Sequence, residues 1–272
     1  MTCGFIDNCA LPAPFPPLWA TAWGQDQYGL WADLQIEGVD QRMRWIRPGT
    51  FIMGSPEDES GRGGSEVQHE VTLTKGYWLA DTACTQELWG KVMGNNLSKF
   101  KGDARLPVKS VSWDACQEFL QTANKELKGL NLQFPTEAQW EYACRAGTET
   151  PFSFGDNITT KQVNYDGNYP YSNGEKGEYR EKTVAVKELP CNQWGLYQMH
   201  GNVWEWCADW YGDYEKKSVK DPKGPAGGEH RVVRGGSWIS HGGIVRSARR
   251  NGGYPDDRYS DVGFRFSLGQ KG

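Results

Sequence analysis

The stretch RVVRGGSWISHGGIVRSARRNGGYPDDRYSDVGFRF, Arg231 to Phe266, decides how the rest of the chain is read. Arg234-Gly-Gly-Ser-Trp238 opens it, Gly263-Phe-Arg265 closes it, and Arg246, Ser247, Ala248 and Arg250 stand between. Around those points Ile239, Ser240, His241, Gly252, Gly253, Tyr254, Tyr259 and Ser260 follow neither a helical nor a strand period. A fixed frame holding patternless residues points to a recognition surface carried on loops rather than to a catalytic centre.

The 272 residues suffice for one large mixed domain with a sizeable core. That core is aromatic in character, since 13 Trp, 12 Tyr and 10 Phe bring many N–H and O–H groups that need partners. With 34 Gly and 14 Pro, many short strands, few helices and much irregular loop are predicted. A net charge of −4 without any Lys/Arg run disfavours a nucleic-acid partner. No apolar run is long enough to span a membrane, and the N-terminus lacks the basic and apolar regions of a secretory leader. The seven cysteines form no CxxC pair and no metal-ligand spacing. Their odd number argues against a complete disulfide framework. A Cys3–Cys9 or similar bridge stays open, and most of the rest read as buried thiols.

Taken in order, residues 1–23 are rich in Pro and aromatics and read as an extended arm offering Phe15, Trp19 and Trp23 for burial. Tyr28 to Ile36 and Gln41 to Ile46 alternate as strands around a turn at Gly38-Val39-Asp40. Further strands are expected at Gly49 to Met53, His69 to Leu73 and Gly76 to Leu79, with a polar Gly-rich loop from Pro56 to Glu66. Three helices follow: Thr85 to Met93, Ser112 to Lys128, and one opened by the capping box Thr136-Glu-Ala-Gln139 and stopped at Gly147. Gly147 to Gly195 is mostly loop, long enough to need an ion or dense side-chain bonding to hold it. Gly201-Asn-Val-Trp-Glu-Trp206 is a short aromatic strand. No repeat and no linker dividing two domains is visible.

Four segments together carry a resemblance: Gly49-Thr-Phe-Ile-Met-Gly-Ser55, Pro135 to Gly147, Trp194-Gly-Leu-Tyr197 with Gly201 to Trp206, and Arg234 to Trp238 with Gly263 to Arg265. The chain resembles the formylglycine-generating, sulfatase-modifying-factor family from about Arg44 to Phe266. The resemblance implies an α+β, C-type-lectin-like fold, loop-rich with short strands and about three helices. It divides the chain into residues 1–43, an N-terminal arm and hairpin packed on the body, and residues 44–272, the family domain. The family's enzymes bind copper through two cysteines that align with Ser240 and Val245, within one position. Neither residue has a thiol, and no cysteine follows Cys207. Soft Cu(I) needs thiolates, so the resemblance implies no copper and no enzyme. The iron-dependent sulfoxide synthases of the family need a His-rich helix that His69, His200, His230 and His241 do not supply. His200 reads as a structural, hydrogen-bonded histidine.

A narrower likeness is to the variable proteins of bacterial diversity-generating retroelements, in which error-prone copying at template adenines turns Asn codons into NNC or NNU. Such codons never encode Trp, Met, Lys, Glu or Gln. Aligned on its frame, residues 238–266 depart from template Asn at Ile239, Ser240, His241, Ile244, Arg249, Gly252, Gly253, Tyr254, Asp257, Tyr259, Ser260 and Asp261, and keep Asn251. Each of those residues is reachable by adenine changes alone. They are the expected ligand-binding residues, with Tyr254 and Tyr259 as rigid amphipathic anchors and the charged positions setting complementarity. Arg246, Arg250, Arg258 and Arg265 are expected to tie the backbone together through carboxylates such as Asp256, and Trp238 and Phe264 to anchor the ends in the core. The partner implied is a protein or a glycan; the protein is expected to be a monomer, exported or on a bacterial cell surface, with the cytoplasm left open. An oxidase of peptide cysteines and a non-variable accessory homologue remain the alternative readings. No cofactor is required. Calcium is implied by register alone, at Asn164, the Tyr165 carbonyl, Glu178 and the Arg180 carbonyl, and at Gln198, the Gly201 and Val203 carbonyls, and Glu205. Gln198 departs from the family's Asn or Asp at the second set, and Glu205 reads equally as a hydrogen-bonded buried carboxylate.

Overall fold

The computed structural model describes residues 11–127 and 129–269; Cys3 and Cys9 lie outside them. The N-terminal strands β1 (Ala20–Asp26), β2 (Gly29–Ile36) and β3 (Val39–Ile46) are followed by β4 (Gly49–Met53), β5 (His69–Leu73) and β6 (Tyr77–Ala80). Helices α1 (Gln86–Met93), α2 (Trp113–Glu126) and α3 (Glu137–Arg145) come next, with the short β7 (Leu132–Gln133) between the last two. The C-terminal part holds β8 (Trp204–Trp210), β9 (Val219–Lys220), β10 (Arg231–Arg234), β11 (Arg250–Gly253), β12 (Val262–Phe264) and β13 (Ser267–Gly269).

A six-stranded sheet runs β1-β2-β3-β6-β13-β7, so the last strand of the chain is inserted between β6 and β7. A four-stranded sheet, β11-β10-β8-β12, carries the C-terminal stretch, and β4-β5-β9 form a third. In β2 the side chains of Leu30, Ala32, Leu34 and Ile36 alternate into the core while their neighbours stay partly exposed, as one buried face requires. The main core gathers Trp89, Phe119, Phe134, Trp206, Phe264 and Phe266; Trp89 stacks on Phe119 and Phe264 meets both edge-on.

The helix starts follow local chemistry. Thr85 and Ser112 accept from the backbone N–H groups of Leu88 and Ala115, and Thr136 and Gln139 close a reciprocal capping box. Several boundaries differ from the sequence reading. The hairpin turn is at Glu37 and Gly38, both at positive φ, the two-residue turn whose twist matches its strands, so Val39 and Asp40 join β3. The left-handed stop of α3 is Ala146, with Gly147 the next positive-φ residue. The aromatic strand begins only at Trp204, because Gly201 and Asn202 turn at positive φ, and it runs on to Trp210 against β10 and β12. Residues 20–23, read as arm, begin β1, which pairs along β2.

Candidate functional site

The frame of the C-terminal stretch is built from buried arginines, each clamped to a glutamate from a distant element. Arg246, fully buried, places its guanidinium on Glu66 at 2.8 and 2.9 Å and also meets Glu59. It further donates to the carbonyls of Gly61 and Gly243 at 2.6 and 2.9 Å. Arg250 reaches both Glu137 oxygens at 2.8 and 2.7 Å, and Arg265 both Glu205 oxygens at 2.6 and 2.7 Å. Arg234 pairs with Glu141 and donates to the carbonyls of Ser247, Ala248 and Arg249. The planar five-donor fork explains why arginine stands at all four places. The carboxylates are therefore glutamates supplied by the 56–66 loop, α3 and β8, not Asp256; Asp256 and Arg258 both lie exposed. Burial alone would lower the basicity of Arg246 and raise the Glu66 carboxyl. The ion pair reverses both, leaving Arg246 shifted up and Glu66 shifted down.

The filling is disposed the other way. Ile239, His241, Tyr254, Asp257 and Ser260 are exposed, and Ser240, Ile244, Arg249, Gly252, Tyr259 and Asp261 are partly exposed. Gly253 departs from the expected set. It is buried, and a Cβ there would come within 2.7 Å of the Trp206 and Tyr259 rings. The segment's backbone is held by groups whose contacts ignore side-chain identity. The N–H groups of Asp166 and Trp204 donate to the carbonyls of Ser240 and Asp261, both at 2.9 Å. Lys109 Nζ donates to the Ser260 carbonyl at 2.7 Å, and Asp114 N–H to that of Pro255 at 3.1 Å.

Two side-chain clusters form within the filling. Ser237 links Ser240 and Asp261, donating from its N–H to Ser240 Oγ at 3.0 Å and from its hydroxyl to Asp261 Oδ2 at 2.7 Å. Tyr259 donates to Asp257 Oδ2 at 3.0 Å, and Tyr254 packs on the His230 ring with centroids 4.2 Å apart. Burial and the neighbouring Arg249 and Arg246 charges hold the His241 imidazole below its ordinary pKa. Fixed residues border this surface: His230, Tyr169, which is 65% exposed, and Tyr179, which stacks on Trp238. Sequence reading missed all three, because loop residues meeting across the fold share no period. Trp238 is itself partly exposed, wedged between Tyr179 and Phe100 rather than sunk in the core, whereas Phe264 is fully buried.

The model of the sulfatase-modifying factor enzyme 1-like domain matches residues 35–268. The chain belongs to that family. It is 33% identical over 230 residues to a formylglycine-generating enzyme of Streptomyces coelicolor, covering 78% of this chain and 70% of the relative. It is 38% identical over 169 residues to the formylglycine-generating enzyme of Mus musculus, and there the match spans 58% of this chain and only 43% of the mouse protein. Among solved structures, Treponema denticola variable protein 1 superposes with a TM-score of 0.75 at 28% identity, covering 88% of this chain and 98% of that one. The fold is thus α+β and C-type-lectin-like, of the formylglycine-generating-enzyme type.

Ser240 and Val245, which the sequence resemblance aligns within one position with the enzymes' copper ligands, carry no thiol. Ser240 Oγ is engaged by Ser237, and Val245 is fully buried among Phe152, Ile158, Val163, Tyr165 and Tyr171. The nearby Cys144 thiol is buried and pushed up to about 12 by desolvation, which leaves it a poor thiolate. His200 packs beside it, with Nδ1 2.7 Å from the Val245 carbonyl and Nε2 3.1 Å from the Ser153 N–H. Those partners make Nδ1 the donor and Nε2 the acceptor of a neutral ring. Burial pulls its pKa down to about 4.

The two register-matched calcium sets differ in how well they suit the ion. Asn164 is buried, its Nδ2 bonded to the Lys182 carbonyl and Asn202, while Oδ1 has no partner. Such an orphaned oxygen suits a hard cation. Glu178 of the same set is largely exposed and lies 3.2 Å from Arg180 Nη2; Tyr165 is buried. In the second set Gln198 donates its amide to the Ala185 carbonyl. Both Glu205 oxygens are taken by Arg265, and one also by the Trp140 N–H at 2.7 Å. A carboxylate so neutralised does not fit as a calcium ligand, and of the two readings of Glu205 the hydrogen-bonded one accounts for its contacts.

Proposed function

We propose that this chain is a non-catalytic ligand-binding protein whose C-terminal surface is diversified by adenine-directed retroelement mutagenesis. What carries the reading is the division of burial within one continuous stretch. Arginines and small residues of the frame are sealed in the interior, and eleven of the twelve template-Asn positions reach solvent in whole or part. Because the carbonyls at 240, 249, 260 and 261 are held by fixed groups, side chains there can change without loss of the backbone path. The exposed mix of Tyr, His, Ser, Asp and Arg is that of an adaptable paratope, with a protein or glycan as partner and a place on the cell surface. The match to Treponema denticola variable protein 1 over nearly all of that chain supports the same reading.

The decisive experiment reads the DNA beside the gene. A near-copy of its last hundred or so bases, differing only at adenines of Asn codons and adjoining a reverse transcriptase, is the expected result. Its absence would leave a non-variable homologue. The named enzymes among the relatives keep a second reading in view, a copper oxidase of peptide cysteines. Copper-dependent turnover of a Cys-containing peptide by this chain would overturn the proposal. We also propose calcium at the Asn164–Tyr165–Glu178–Arg180 set alone, where it would supply charge to close the 164–180 loop beneath the surface.

A further inference from the structure

We propose that β1 is an association edge, on which a second copy of this chain docks by antiparallel strand pairing about a two-fold axis at Trp23. The strand is the outermost of the six-stranded sheet, and among the described residues nothing pairs with its outer side. Thr21, Ala22, Trp23, Gln25 and Asp26 are exposed. A row of unpaired backbone N–H and C=O groups is a template for another strand, and proteins that avoid this blunt the edge with lysine, proline, bulges or short length. β1 has seven residues, no lysine and no proline, and its register irregularity is confined to the Ala20/Ala22 end. Its one charge, Asp26, is already paired with Arg44 at 2.8 Å.

An exposed aromatic stands at the same edge. Trp23 is 51% exposed, and its ring is held in place against Phe15 with centroids 5.2 Å apart. The sequence of the strand is self-complementary about Trp23. In that register Trp23 faces its own copy, Ala22 faces Gly24, Thr21 faces Gln25 and Ala20 faces Asp26. No like charges meet, and the small residues either side leave room for two indoles to lie across the axis as a cross-strand aromatic pair. An isologous contact of this kind closes at two copies. β1 lies before residue 35, where the family match begins. A dimer would carry two C-terminal surfaces together, and a ligand displayed in many copies would be held by both at once.

Sedimentation velocity on the full chain tests this. The expected mass is twice 30.6 kDa for the unaltered protein and the single mass for Trp23→Glu or Trp23→Lys alone, with a return to the double mass when those two variants are mixed in equal amounts. Ala22→Lys, at an exposed position, is expected to be monomeric as well, and unchanged near-UV circular dichroism shows that the variants remain folded. A wild-type chain that stays monomeric at about 0.1 mM, a generous ceiling for specific association, overturns the proposal. So does a dimer that persists in Trp23→Glu, which places the contact elsewhere, and so does a mixture that fails to pair, which rules out an axis at Trp23.

Discussion

Arg246→Ala tests whether the frame and the filling of the C-terminal stretch do separate physical jobs. The guanidinium is fully buried and neutralises Glu66 and Glu59. Its removal takes the ion-pair partner from Glu59, leaves Glu66 only the more distant Arg249 at 3.8 Å, and frees the carbonyls of Gly61 and Gly243. Breaking a buried pair from one side costs about 3–5 kcal/mol. With a urea dependence of about 3 kcal/mol per molar for a chain of this size, the unfolding midpoint should fall by roughly 1–1.7 M. His241→Ala and Tyr254→Ala, equally close in sequence but exposed, should stay within about 0.5 kcal/mol of the parent. Equilibrium urea unfolding followed by Trp fluorescence measures all three. A midpoint for Arg246→Ala within about 0.3 M of the parent, at unchanged slope, would refute the division, as would an equally large loss in Tyr254→Ala.

The opposite pattern is expected in binding, where replacing Tyr254 and Tyr259 together by Ala should weaken a captured partner at least tenfold, measured by surface plasmon resonance. Acid and base behaviour comes from two buried groups that oppose each other. The folded pKa of His200, about 4, lies below its unfolded value, so its contribution is present above about pH 6.5 and is lost as pH falls through 4. Burial first, then the Glu137 charge, raises the Asp209 carboxyl to about 7, so its contribution is present below about pH 3.9 and is lost as pH rises through 7. Each term is on the order of 3–4 kcal/mol. Asp209→Asn should therefore steepen the loss of stability between pH 6.5 and 4, and His200→Gln should reverse it, as read from melting temperature against pH. Calcium at about a hundredfold over its dissociation constant should add about 2.7 kcal/mol, and Glu178→Gln should diminish the thermal shift; no shift in the parent chain would remove calcium from the account.

Much of this protein was legible in its sequence, because the relevant forces act between near neighbours. Capping at Thr85, Ser112 and Thr136 is a contact over three residues, and alternation in β2 is a property of one strand. The frame motifs were equally readable, since each marks one local backbone requirement. What each frame residue binds was not. Arg246 finds Glu66 across 180 positions and Arg250 finds Glu137 across 113, while the sequence reading looked to nearby Asp256. Carboxylate partners are chosen by which elements the sheets bring together, and no spacing encodes that. Burial within the stretch was likewise decided only by tertiary packing. Gly253 and Tyr254 are adjacent and were both expected at the binding surface, yet Gly253 is buried against Trp206 while Tyr254 is 47% exposed. The sequence by itself determined the family and the helices; the three-dimensional packing of β8, β10 and β11 decided which residues of the C-terminal stretch are exposed, because exposure is a property of neighbours that the chain meets only after folding.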